Sequence, residues 1–119
     1  MERYRETLND GFLTYGHKKT IRTADKTVIG SEFLPEGKLA YKEMSARDSD
    51  YQLADIKSAK LDMKVKTLYP PSFRKINKNK LKIILNNTEY DVINVDSDAT
   101  KSYLFFYLQE VGVSNERKD

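Results

Sequence analysis

The sequence predicts a mainly β domain: a small antiparallel β-barrel with one short helical or loop insertion between its early strands. Three observations carry that prediction. Apolar and polar residues alternate over short runs, most cleanly where Leu61, Met63, Val65 and Thr67 interleave with Asp62, Lys64 and Lys66, which is the period of a half-buried strand. Turn-forming residues punctuate these runs at Asp10-Gly11, Pro35-Glu36-Gly37, Tyr69-Pro70-Pro71 and Asn86-Asn87. No helical period alternates regularly with the strands, so a βαβ rhythm is absent and a curved or closed antiparallel sheet remains.

Taken in order, residues 1–10 mix Glu2, Arg3, Arg5, Glu6 and Asp10 without a period and read as a flexible tail, as do residues 114–119. Leu13, Tyr15, His17 and Ile21 fall on alternate positions and predict an edge strand. A second strand, Lys38 to Met44, follows the Pro35-Glu36-Gly37 turn and sets Leu39 and Tyr41 on one face. The two together make a hairpin with a long tip. From Ser45 to Lys60 the alternation stops, and Tyr51, Ala54 and Ile56 fit a short helix capped by Ser49 or Asp50. The strand from Leu61 ends at Tyr69-Pro70-Pro71, because proline has no N–H to give a sheet ladder. Leu81, Ile83 and Leu85 lead into Asn86-Asn87, and Tyr90, Val92 or Ile93, and Val95 lead out. Asparagine tolerates positive φ, so this is a tight hairpin. In the last strand, Tyr103 to Val111, Tyr103, Phe105 and Tyr107 oppose Leu104, Phe106 and Leu108. A strand apolar on both faces must be covered on both, by its own chain or by a partner.

With 119 residues, 39% hydrophobic and 33% charged, the chain supports one core and is read as a single domain over 1–119 with a strongly solvated surface. Its 21 basic and 18 acidic residues leave a formal charge of only +3, so net charge by itself implies no polyanionic partner. The absence of cysteine excludes disulfides, thiolate metal sites and thiol catalysis. His17 is the one histidine; His-pair metal sites are excluded, and the case for a catalytic triad is weakened, since a surface or ladder position on the first strand suits His17 better than a catalytic one. It receives no role. The carboxylates at Asp48, Asp50 and Asp55 suit a helix start, and those at Asp91, Asp96 and Asp98 suit a solvated turn. Neither set has the glycine and distal glutamate of a calcium loop. The five glycines are scattered, so no phosphate-cradling loop is present. The sequence therefore predicts no enzyme, no catalytic residue, no metal and no cofactor. No run approaches the roughly 20 apolar residues of a membrane span, and the first ten residues lack an apolar leader core, so the protein is expected to stay where it is made.

Two features point to partners. From Met63 to Thr88 there is no acidic residue, while Lys64, Lys66, Arg74, Lys75, Lys78, Lys80 and Lys82 are basic, with Tyr69 and Phe73 among them. Such a stretch suits phosphate contact and base stacking, although the solvated faces of a loop and strands account for it more readily than contact that reads sequence. Arg74, Lys75, Lys78 and Lys80 are the DNA-facing candidates. The chain also has eight tyrosines and five phenylalanines, a surplus suited to subunit contacts. Arg47, Tyr51, Ile56, Tyr103, Phe105 and Tyr107 are the subunit-interface candidates.

The order Thr67-Leu68-Tyr69, Arg74-Lys75-Ile76, Leu81-Lys82-Ile83-Ile84-Leu85-Asn86-Asn87 and Glu89-Tyr90-Asp91-Val92-Ile93-Asn94-Val95 resembles the phage head-tail adaptor family, the head-closure or stopper proteins of long-tailed bacteriophages. The resemblance extends upstream through Lys38 to Met44, Ala46 to Lys60 and Leu61 to Leu68, and so covers most of the chain. Asn86-Asn87 stands where a glycine-containing turn is common in the family, and the Tyr103 to Val111 strand is longer and more aromatic than its pattern. The resemblance implies a structural virion protein, a head-tail connector of the neck, assembled in the host cytoplasm. Such a protein forms a homo-oligomeric ring below the portal and adaptor proteins, retains packaged DNA by contacts that read no sequence, and docks tail-terminator or tail proteins. It implies no enzyme and no membrane. Ser45 to Lys60 matches the family's long segment that orders or moves on assembly. Two other readings stand beside this one: a stand-alone nucleic-acid-binding β-barrel module, and a tail terminator protein, which forms rings on a more α/β fold.

Overall fold

Alternation over short runs resolves into six antiparallel strands: β1 (Gly11–Arg22), β2 (Val28–Met44), β3 (Met63–Leu68), β4 (Lys82–Leu85), β5 (Thr88–Ser97) and β6 (Tyr103–Val113). The computed structural model describes residues 8–113; the tails expected at 1–7 and 114–119 lie outside the described residues. The strands run β1-β2-β3-β6-β5-β4 around the sheet, and β4 returns to β1 to close the barrel. A nine-residue helix, α1 (Asp48–Ile56), is inserted between β2 and β3, and a 3-10 turn, Pro71–Lys75, lies between β3 and β4.

Inward-facing positions build one core. Leu13 and Tyr15 from β1, Tyr41 from β2, Val65 from β3 and Ile83 and Leu85 from β4 meet Tyr90 from β5 and Leu104, Phe106 and Leu108 from β6. Asn86 and Asn87 adopt φ of 52° and 62° and close the β4–β5 hairpin where Leu85 pairs with Thr88. Positive φ at both central residues is the turn whose twist matches the flanking strands.

The first two strands depart from the sequence reading. Pro35-Glu36-Gly37 reverses nothing, and β2 begins ten residues before Lys38, at Val28. The reversal lies at Thr23–Thr27: the Thr23 hydroxyl donates to Asp25, the Thr27 N–H donates to the Asp25 carboxylate at 3.2 Å, and Lys26 takes φ 71°. Pro35 instead faces Gly16 at a register shift, where a bulge excuses its missing donor. Because β4 reaches β1 only over Thr14–Gly16 and β3 reaches β2 only over Tyr41–Met44, the rest of the β1–β2 hairpin projects as a two-stranded arm. The molecule is accordingly elongated, 64 × 31 × 27 Å.

The arm's root is tightly packed. A Cβ on Gly16 would stand 2.1 Å from the Leu34 carbonyl oxygen, and one on Gly37 would stand 2.2 Å from the Tyr15 hydroxyl. Gly16→Ala meets backbone and so must move a strand. We expect a loss of about 1–3 kcal/mol, as for other overpacked sites. In a domain of this size that lowers Tm by roughly 4–8 °C per kcal/mol. Thermal unfolding checks it, and an unchanged Tm would mean the bulge relaxes freely.

Two boundaries are also corrected. Asp10 is not part of a loose tail, because its N–H donates to the Tyr41 carbonyl at 3.0 Å and its carboxylate accepts the Glu43 N–H at 2.8 Å. The helix cap is neither Ser49 nor Asp50. Arg47 is the N-cap, and the Asp50 carboxylate reaches back to accept its N–H at 2.9 Å. The helix stops well before Lys60 because Ser58 turns left-handed, φ 55°, and Ala59 N–H closes onto the Ala54 carbonyl at 2.9 Å.

Candidate assembly surfaces

Three surfaces carry the chemistry singled out in the sequence: the basic loop, the arm and the α1 face.

The basic loop closes one end of the barrel. Pro71 opens the 3-10 turn with a residue that has no N–H to leave unsatisfied, and the turn drops Phe73 into the core, where it is fully buried. Its ring meets Tyr15, Tyr69 and Phe106 edge to face, with centroids 5.3, 6.3 and 5.7 Å away. The chain then wraps back over this plug. Lys78 Nζ donates to the carbonyls of Phe73 and Ile76 at 3.3 and 3.4 Å and lies 4.9 Å over the Phe73 ring. Arg74 stands 5.7 Å over Tyr69. Arg74, Lys75, Lys78 and Lys80 are all exposed on this one loop. The other basic residues of the acid-free stretch are placed elsewhere. Lys82 pairs with Asp91, Lys66 lies 4.2 Å over the Tyr103 ring, and Lys64 is buried against Asp50.

The arm leaves the same end, since β1 passes its last β4 partner, Lys82, at Gly16, and Lys82 follows the basic loop directly. Val28, Ile29 and Leu34 are 54, 64 and 40% exposed along it. At its root, His17 Nδ1 lies 2.5 Å from a Glu36 carboxylate oxygen, while its buried Nε2 has no partner.

On the barrel's outer wall, α1 covers β6. Ala54, Leu61 and Tyr107 form a second small core beside Ala46, Ile93 and Phe105. Asp50 and Lys64 form a buried ion pair at 3.0 Å between α1 and β3. Lys64 Nζ also lies 5.2 Å over Tyr107 and 5.6 Å over Phe105. Burial raises the Asp50 pKa, but the Arg47 N–H and the Lys64 ammonium outweigh it and hold the carboxyl below its ordinary value. Burial and the neighbouring Asp50 charge raise the Tyr107 hydroxyl. The doubly apolar β6 is thus covered from within its own chain. Of the interface candidates, Tyr107 is buried and Tyr103 and Phe105 are half-buried beneath lysines, whereas Arg47, Tyr51 and Ile56 are exposed around α1. An open groove of about 540 Å³ runs between α1 and the barrel wall, with Tyr51, Met44, Glu43 and Asp62 along it.

Among the described residues no three His, Cys, Asp or Glu side chains gather in a way that would hold a metal, and no helix is long and apolar enough to cross a membrane. The hairpin of the first two strands with its long tip is found as expected, but sequence reasoning missed that the tip is itself paired strand, and so missed the arm as a surface. Its signal was present in Thr23-Ala24-Asp25-Lys26-Thr27, turn chemistry flanked by β-branched Thr20, Ile21, Val28 and Ile29.

No protein-family model matches the chain, and no curated protein matches it significantly. Among solved structures, the fold is similar to the solution structure of protein SF1141 from Shigella flexneri 2a, with a TM-score of 0.61 at 13% identity, covering 87% of this chain and 93% of that one. At that identity the likeness shows a shared closed β architecture.

Proposed function

We propose that the chain is a structural subunit that works by assembling with copies of itself into a ring, as a head-closure protein of the phage neck. In that role it sits below the portal and adaptor, retains packaged DNA and docks the tail. The observation that carries the assembly reading is the projecting arm, whose long strands have outer edges that no strand among the described residues covers. Bare sheet edges of this kind are templates for pairing with another chain. The neck assignment rests on the sequence resemblance, and a small closed β-barrel is compatible with it. The test is the mass of the protein, alone and mixed with connector rings, by light scattering at two salt concentrations. Ring-sized complexes on the connector are expected; a chain that neither self-associates nor joins the connector sinks the proposal.

A second reading is favoured by one observation, the exposed Arg74, Lys75, Lys78 and Lys80 on a single loop without an acidic neighbour in sequence. On that reading the monomer binds single- or double-stranded nucleic acid through phosphates. Replacing all four by glutamine should then flatten the log–log salt dependence of binding by roughly 3–4, close to 0.9 for each phosphate that is no longer neutralised. An unchanged slope would remove these residues from any nucleic-acid interface, in a ring or alone.

A further inference from the structure

We propose that the arms of neighbouring copies pair edge to edge, the β1 edge of one against the β2 edge of the next, so that a ring of subunits carries a closed antiparallel collar. This rests on the ring-assembly reading above and adds the contact that builds the ring.

The arm's construction argues for a strand partner. Among the described residues, the outer edge of β1 beyond Gly16 meets no other strand, and neither does that of β2 before Tyr41. A two-stranded ribbon is marginally stable in water and gains from a third strand. Proline, the usual guard of a bare edge, occurs only at Pro35, at the arm's root, and is absent from Lys18–Arg22 and Val28–Leu34.

The charges select the partner. The β1 side carries Lys18, Lys19 and Arg22 and no acid, whereas Val28 to Gly37 on the β2 side carries Glu32 and Glu36 and no base. Two β1 edges repel, two β2 edges repel, and a β1 edge attracts a β2 edge. That excludes the two-fold arrangements, which place like edges together, and favours a second copy docked heterologously. Each copy offers one edge of each sign, so the contact repeats from copy to copy, which is the head-to-tail contact that the ring proposed above requires. Strand direction agrees: β1 and β2 are antiparallel within an arm, so arms pointing the same way around a symmetry axis are antiparallel across every junction as well. Lys18 is already drawn to Glu89 of its own β5 at 2.9 Å, and Glu36 to His17. The Arg22 guanidinium donates to the Lys26 carbonyl of its own turn at 3.1 Å, a neutral partner that leaves its charge uncompensated, so Lys19 and Arg22 facing Glu32 of the neighbour are the selecting charges.

The test exchanges the edges without unbalancing the arm. Lys19 and Glu32 face each other across the hairpin, so the triple variant K19E/R22E/E32K keeps opposite charges within the arm while inverting both edges. Wild type and triple variant should each form oligomers of the same size. Mixed in equal amounts, with one isotopically labelled, they should sort into separate rings by native mass spectrometry. Hybrid species should fall to about a tenth of the random-mixing share or less, the effect of roughly 1.4 kcal/mol per junction. Raised salt should restore mixing. The double variant K19E/R22E, acidic on both edges, should remain monomeric. Free mixing of wild type and triple variant at low salt overturns the edge pairing while leaving the ring reading in place. A wild-type chain monomeric up to its solubility limit also overturns it, and the connector experiment then decides the ring reading separately.

Discussion

Phe73→Ala should destabilise the domain by about 3–5 kcal/mol, the range for deleting a buried aromatic side chain, out of a total that for domains of this kind is roughly 5–15 kcal/mol. Phe73 is fully buried, and its ring makes three edge-to-face contacts that add to the area it removes from water. The cavity left behind cannot collapse easily, because its walls belong to the closed sheet and only the 3-10 turn is free to sink. With a Tm loss of roughly 4–8 °C per kcal/mol, thermal unfolding should shift by more than 10 °C. A second effect follows from the loop's construction. Lys78 is held by the Phe73 carbonyl and ring, and the Ile76 N–H by the Phe73 carbonyl at 3.2 Å, so amide exchange over 73–78 should accelerate beyond the global change in stability. Phe73→Leu, which refills most of the volume, should recover the larger part of both. If the alanine variant melts within a few degrees of wild type and its loop stays protected, Phe73 is not what organises the basic end.

The contrast between Phe73 and the arm shows what was legible in the sequence. Period-two alternation is imposed by burial of one face, so strands walled by the core announced themselves. The Asn86-Asn87 hairpin and the last strand are found where expected, and the run at Leu61–Thr67 is found as β3 except that the strand starts at Met63, Leu61 packing instead beside Ala54 and Tyr107 under α1. Apart from the half-buried Phe33, arm residues 28–34 are exposed on both sides and have no such pattern, and the strong turn residues nearby, Pro35 and Gly37, serve a bulge rather than a reversal. Lys64 misled for a related reason. It sits at an outward position of β3, where alternation predicts exposure, but α1 folds over that wall and buries it. Nothing local to β3 records that a helix from another segment will cover it. The candidates on the basic loop were found together because they are adjacent in sequence, whereas the aromatic face of β6 was rightly read as needing a cover whose identity only tertiary structure supplies.

That cover depends on the Asp50–Lys64 pair, where the other large effect is expected. Asp50→Asn preserves size but leaves the Lys64 ammonium, whose side chain is only 7% exposed, with two aromatic rings and no counter-charge. Stranding a buried charge costs roughly 3–5 kcal/mol. It also weakens the acceptor that holds the Arg47 N–H at the start of α1. Lys64→Met should cost less, since it removes the charge that needs a partner and leaves Asp50 with the Arg47 N–H. The double variant D50N/K64M should therefore be more stable than D50N alone, because two desolvated charges are replaced by groups that tolerate burial. The same pair sets an acid limit. Asp50 titrates lower in the folded chain than in the unfolded one, so its contribution is complete above the unfolded carboxyl value of about 3.9 and is lost as pH falls through its lower native value. Wild type should lose stability over that acidic window more steeply than D50N/K64M, which has no carboxylate there to protonate. Parallel acid slopes for the two chains, measured by denaturant unfolding, would show that α1 is held to the barrel by its apolar contacts and not by this pair.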